Sequence, residues 1–250
     1  MEQRCLVWRE KLIGNAKQVA YKQQIYREFI YKKENLSDSC RNTIAADMPR
    51  TWSSETIEGR EVIQELLIEY ATMQQGDTYL QGFNYLMTVL WTVFRTTTHA
   101  RADTFWCFVR LVGLVRPLMP DFNSNWFHWY RVHWLSEFQK QLAPRRPVIA
   151  DILSTDIETF SSLITVKWFL IWFTQVVEYS EIFTLWDFLV QVPPRQLMRV
   201  YTLLTVEIIT EAATTLTYEC SGNSTSIIHT ILDFKIKGVG NIVEVVKKRM

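Results

Sequence analysis

Two short stretches carry residue types and spacings capable of chemistry. In "IAADMPRTW" (44–52), Asp47 and Arg50 stand three positions apart beside Pro49, between "SDSCRNT" and "SSETIEG", which read as loop and helix-cap material. Such a stretch is either a helix end or the seat of a positioned arginine, whose permanently charged fork of donors suits anionic oxygens. In "YLQGFNYL" (79–86), Gln81 and Asn84 interrupt an apolar run around Gly82. On a helix, Gln81, Asn84 and Thr88 would form a narrow polar stripe beside an apolar one of Tyr79, Phe83, Leu86 and Leu90. With Asp77 or Thr78 as the cap, Gln81 would lie in the first turn, near the positive end of the helix dipole, and could face an anionic ligand. The alternative is a packing glycine, about 1 kcal/mol less favourable than alanine in a helix, flanked by satisfied amides.

Other chemistries leave no trace. His99, His128, His133 and His229 form no HExxH or HxxxH pair, and the five-residue step from His128 to His133 separates them on a helix. No glycine-rich phosphate loop or GxSxG elbow is present, so the chain does not read as a nucleotidase in its own right. Cys5, Cys40, Cys107 and Cys220 are scattered without a CxxC, as expected of reduced thiols in a cytosolic protein. The charged start "MEQRCLVWREK" shows no secretion signal, so the sequons at Asn35 and Asn223 are expected to be unused.

The elements that must hold these stretches read as helices. The 250 residues are 48% hydrophobic and 14% aromatic, with 8 Gly and 7 Pro, which argues against a turn-rich β fold and against disorder. Apolar residues recur three or four apart in 58–74, 102–115 and 125–142. Helices are also expected at 180–192 and 195–216, parted by Pro193 and Pro194, and at the β-branched 226–232. The segment 9–33 reads as one surface helix with a docked face. The apolar runs 79–94 and 163–177 carry Gln81, Asn84 and Lys167 and fall short of the roughly 18–20 residues of a membrane span, so both read as buried core helices. The formal charge of +1 gives no preference for nucleic acid or anionic lipid. The expectation is one all-α domain over residues 1–250.

Taken together, the two stretches resemble a known family. "IAADMPRT" has the form IxxDxxRT and "YLQG" the form YxQG, with Arg50 and Gln81 separated by 31 positions. This order and spacing are similar to those of the TBC domain, the catalytic domain of GTPase-activating proteins for Rab-family small GTPases. "RCLVW" supplies Arg4 and Trp8 of the family's RxxxW motif. "ADTFWCFVRL", "VKWFLIWF" with Trp168, and "FTLWDFLV" with Trp186 and Asp187 are similar to its later helices. The resemblance covers about residues 4–215, with Leu80, Phe83 and Trp52 departing from the commoner Cys, Met and Phe.

The resemblance implies a multi-helix domain whose surface groove carries Arg50 as an arginine finger and Gln81 as a glutamine finger. Asp47, Thr51, Tyr79, Gly82 and Asn84 would support or orient them; Arg4, Trp8, Trp168, Trp186 and Asp187 would be architecture, as would the packing of Tyr79. The implied role is that of an activator acting on GTP held by a GTP-bound Rab GTPase, rather than an enzyme with its own bound substrate. It implies no cofactor of the chain's own, since GTP and Mg²⁺ come with the partner. The implied location is cytoplasmic, or peripheral on vesicle and organelle membranes through that partner. A catalytically silent TBC-like module that binds a GTPase or another trafficking protein is the alternative within the family. An unrelated helical scaffold would place Arg50 and Gln81 on opposite faces, or bury both in ion pairs.

Overall fold

A computed structural model of the chain describes residues 2–30, 36–51, 57–74, 79–116, 125–215 and 224–250. Among these are thirteen α-helices, and the sole β-type pairing is an isolated bridge between Val177 and Ile236. The described residues gather into two compact units, 1–114 and 115–250.

The first unit holds α1 (Glu2–Leu12), α2 (Ala16–Ile30), α3 (Asp38–Asp47), α4 (Ile57–Met73), α5 (Phe83–Phe94) and most of α6 (Ala100–Val115). Helices at 58–74 and 102–115 were legible from their apolar spacing, and the observed bounds differ by one or two residues. The segment 9–33, expected as one helix, is broken. Gly14 takes φ 125, a left-handed conformation that residues with a Cβ rarely adopt. Asn15 then caps α2: its side chain accepts from the N–H groups of Lys17 and Gln18, and its own N–H donates to Gln18.

Trp8, Ile44, Leu66, Phe83, Phe105 and Phe108 are buried in this unit's core. Tyr70 and Phe83 both meet Phe108 edge-on. Among the carboxylates buried with them are Asp103 and Glu69, whose charge must be met by donors. Asp103 accepts from Arg9 at 3.1 Å and from Gln23 at 2.7 Å, tying α1 and α2 to the start of α6. Glu69 accepts from Tyr26 at 2.6 Å and Arg101 at 2.7 Å. These anchors fix the frame on which α3 and α5 sit.

The second unit holds α7 (Asn125–Leu142), α8 (Pro147–Ser154), α9 (Ile157–Ile164), α10 (Ile182–Leu189), α11 (Leu197–Thr215), α12 (Ser224–Asp233) and α13 (Val239–Arg249). Pro193 and Pro194 part α10 from α11 as their chemistry requires. Ile164, residues 168–174, Val176 and Val177 of the run 163–177 are buried, as expected of core, but the run is not one helix. After α9 the backbone widens into a π turn over Thr165–Phe169, then passes Trp172 and Phe173 at φ 51 and 59. Six consecutive apolar residues, Trp168 to Phe173, are all buried. A regular helix would spread them round its whole circumference; the irregular backbone turns each into the core, and Trp186 donates its indole N–H to the Trp172 carbonyl. No helix among the described residues is long and apolar enough to cross a membrane.

Candidate functional site

The site is built where the end of α3 meets the start of α5. Ser37 caps α3, its hydroxyl accepting from the Cys40 N–H, and the helix runs on into a 3₁₀ turn over Met48–Arg50. Pro49 suits that turn because its φ is fixed and it has no N–H to satisfy. The turn closes with the Thr51 N–H on the Met48 carbonyl at 3.1 Å, and leaves the Arg50 side chain 68% exposed.

The second stretch differs from its expected helix. Gly82 adopts φ 104 in the left-handed region and α5 begins at Phe83, so Gln81 precedes the helix rather than lying in its first turn. The physical reason is that this sharp reversal suits glycine, and it halts helix geometry at the residue that sequence reading had placed inside a helix. Gln81 is consequently off the stripe with Asn84 and Thr88, and its side chain is exposed. The expected caps, Asp77 and Thr78, lie outside the described residues, as does Trp52.

Asp47 links the two stretches. It is 5% exposed. Its Oδ2 accepts from the Tyr79 hydroxyl at 2.7 Å, and its Oδ1 accepts from Gln81 Nε2 at 3.4 Å. The same Oδ1 lies 4.0 Å from Arg50 Nη1. Arg50 and Gln81 therefore share one oxygen as neighbour, on one exposed face, and neither is buried in an ion pair. At that distance and exposure the Arg50–Asp47 attraction is worth at most about 1 kcal/mol, so the guanidinium is biased rather than locked. Burial, then donation to the Asp47 carboxylate, pushes the Tyr79 phenol well above the usual range. Tyr79 therefore remains a donor to Asp47.

Asn84, 1% exposed, completes the junction. Its Nδ2 donates to the Asp47 carbonyl at 3.3 Å and to Thr51 Oγ1 at 3.0 Å, while the Thr51 hydroxyl donates to that same carbonyl at 3.3 Å. A carbonyl only accepts, which fixes the nitrogen end of the amide towards it. Tyr85, which sequence reading passed over, donates its hydroxyl to the Arg50 carbonyl at 2.8 Å. The available signal was a second tyrosine four positions after Gln81, on the helix that follows it.

The remaining motif residues are placed elsewhere. Trp8 is fully buried on α1, with Arg4 one turn before it on that helix. Trp168 and Trp186 are fully buried in the second unit. Asp187 is half-buried there, on the wall of a cavity of about 440 Å³ shared with Phe188, Val243 and Lys247.

A model of the Rab-GTPase-TBC domain family matches residues 1–209. TBC1 domain family member 13 of Homo sapiens is similar at 37% identity over 62 residues, covering 22% of this chain and 16% of that protein. TBC1 domain family member 2B of Mus musculus is similar at 24% identity over 184 residues, 72% of this chain and 18% of that protein. The chain thus matches less than a fifth of the length of either relative. Among solved structures, the crystal structure of the Ypt/Rab-GAP domain of Gyp1p aligns with a TM-score of 0.75 and 16% identity, over 98% of this chain and 85% of that one. At that identity the likeness carries the fold. The family model spans most of the chain, and the chain belongs to the Rab-GTPase-TBC domain family.

Proposed function

We propose that this chain accelerates GTP hydrolysis by a GTP-bound Rab-family GTPase, with Arg50 and Gln81 supplied in trans. What carries the reading is that two side chains from distant segments are both exposed and both lie within 4.0 Å of one Asp47 oxygen. GTP hydrolysis spreads negative charge over the transferred phosphoryl group and the leaving group, so positioning and electrostatic stabilisation dominate its catalysis. The Arg50 guanidinium can meet that charge with several donors at once. Gln81 has an acceptor to hold the attacking water and a donor for the phosphate region. Asp47 acts as an orienting group rather than a base, since both its oxygens already face donors. GTP and Mg²⁺ arrive with the partner, and any membrane association is through it.

The test is GTP hydrolysis by a panel of Rab GTPases with and without the chain. An arginine finger in trans is worth about 10³–10⁵ in rate. Arg50→Ala and Gln81→Ala should each remove most of the acceleration with little change in melting temperature, because both side chains are exposed. A GTPase whose own glutamine is replaced should still be accelerated. Full acceleration by both variants would sink the two-finger assignment, and binding of a GTP-loaded Rab without acceleration would favour the silent module.

A further inference from the structure

We propose that Tyr85 is a positioning residue that sets the place of the arginine finger by holding its backbone, an inference that rests on reading Arg50 as that finger. The two fingers come from segments 31 positions apart, so their separation must be fixed by ties between the segments. The Arg50 side chain is held only loosely, 4.0 Å from Asp47 and 68% exposed. Its reach is therefore decided mainly by where its own peptide sits. Asp47, three residues earlier, is gripped by Tyr79 and Asn84, and Thr51, one residue later, by Asn84. The peptide that carries Arg50 itself is met by the Tyr85 hydroxyl, 2.8 Å from the Arg50 carbonyl.

Tyr85 is also tied to the other finger. Its backbone N–H donates at 3.0 Å to the carbonyl of Gly82, the residue after Gln81. One residue thus binds the segment of each finger, through its backbone on one side and its hydroxyl on the other. Its site lies in the first turn of α5, a rigid element whose other face is buried through Phe83, Leu86 and Leu90. A group on such an element suits the task, because displacement of a reacting group by about 1 Å can cost about 10²-fold in rate. The tie lies at the exposed surface, so removing the hydroxyl leaves the carbonyl open to water and the core untouched.

The experiment compares the parent chain, Tyr85→Phe, Arg50→Ala and the double variant on the Rab GTPase that the parent accelerates best. Tyr85→Phe is expected to lower kcat of the stimulated reaction about tenfold, with KM within about twofold and an unchanged melting temperature. Amide ¹⁵N relaxation should report greater mobility at Arg50 and Thr51. The double variant should be no slower than Arg50→Ala, since a group that acts through Arg50 has nothing left to position. An unchanged kcat in Tyr85→Phe, beside an inactive Arg50→Ala, overturns the role of Tyr85 and leaves the finger standing. A rise in KM at constant kcat overturns it too, by making Tyr85 a partner contact. Full acceleration by Arg50→Ala means instead that the finger reading has failed, and the role of Tyr85 falls with it.

Discussion

A buried carboxylate must have its charge met by donors, and at Asp47 those donors come from the other half of the site. Tyr79 is the strongest of them: it is buried, its hydroxyl is 2.7 Å from Oδ2, and its phenol is held well above the ordinary range. Tyr79→Phe keeps the ring against Phe83 and removes the donor alone. A hydrogen bond to a charged group contributes about 1.5–3 kcal/mol, and urea denaturation should report a loss of that size. The sign with pH follows from the raised phenol. The contribution is fully present below the unfolded phenol's pKa of about 10, and it fades as pH rises from there towards the higher folded value. The stability gap between parent and Tyr79→Phe should therefore be level through neutral pH and narrow under alkaline conditions. A gap that widens there would refute the assignment of the shared proton to Tyr79.

At the scale of elements, ion-pair anchoring in the second unit makes a separate demand. Glu207 on α11 is nearly buried and receives a two-pronged contact from Arg145, which follows α7, and another from Arg249 at the end of α13. Removing one member of a fully buried pair costs about 3–5 kcal/mol. Here both arginines keep some solvent contact, so Glu207→Ala should cost about 2–3 kcal/mol, read as a lower urea midpoint at unchanged slope. The helices α4, α6, α7 and α11 were legible in the sequence because one apolar face repeats at helical spacing over three or more turns. The run from Trp168 to Phe173 was legible as core but not as backbone. When every residue is apolar, burial no longer selects a face, and periodicity stops reporting geometry. The break at Gly14 and the left-handed turn at Gly82 were hidden for a related reason. A glycine in a sequence permits such a conformation without stating that it is adopted. The cap at Asn15 was the readable sign of the first; nothing equivalent accompanied the second.

At the scale of the whole molecule, the proposed chemistry is housed in one of the two compact units. Arg50, Gln81, Asp47, Tyr79, Asn84 and Tyr85 all fall within residues 1–114. Their meeting was legible only through the order and spacing of two motifs, since a 31-residue separation does not itself imply contact, and the tie from Tyr85 depends on a helix start that the sequence did not mark. Cys5, Cys40 and Cys107 lie in this same unit, and all three are buried. Burial pushes the Cys5 and Cys107 thiols above their ordinary range. Because the thiolate is the reactive form, these cysteines combine restricted access with a low reactive fraction in the folded state. Their labelling then reports the opening of the unit that carries the fingers. In a urea series, pulse alkylation followed by peptide mass analysis should show the three cysteines becoming reactive together, at the denaturant concentration where GTPase stimulation is lost. Stimulation that survives after all three have become reactive would mean that the active groups do not depend on the first unit, and would remove the site from the junction of α3 and α5.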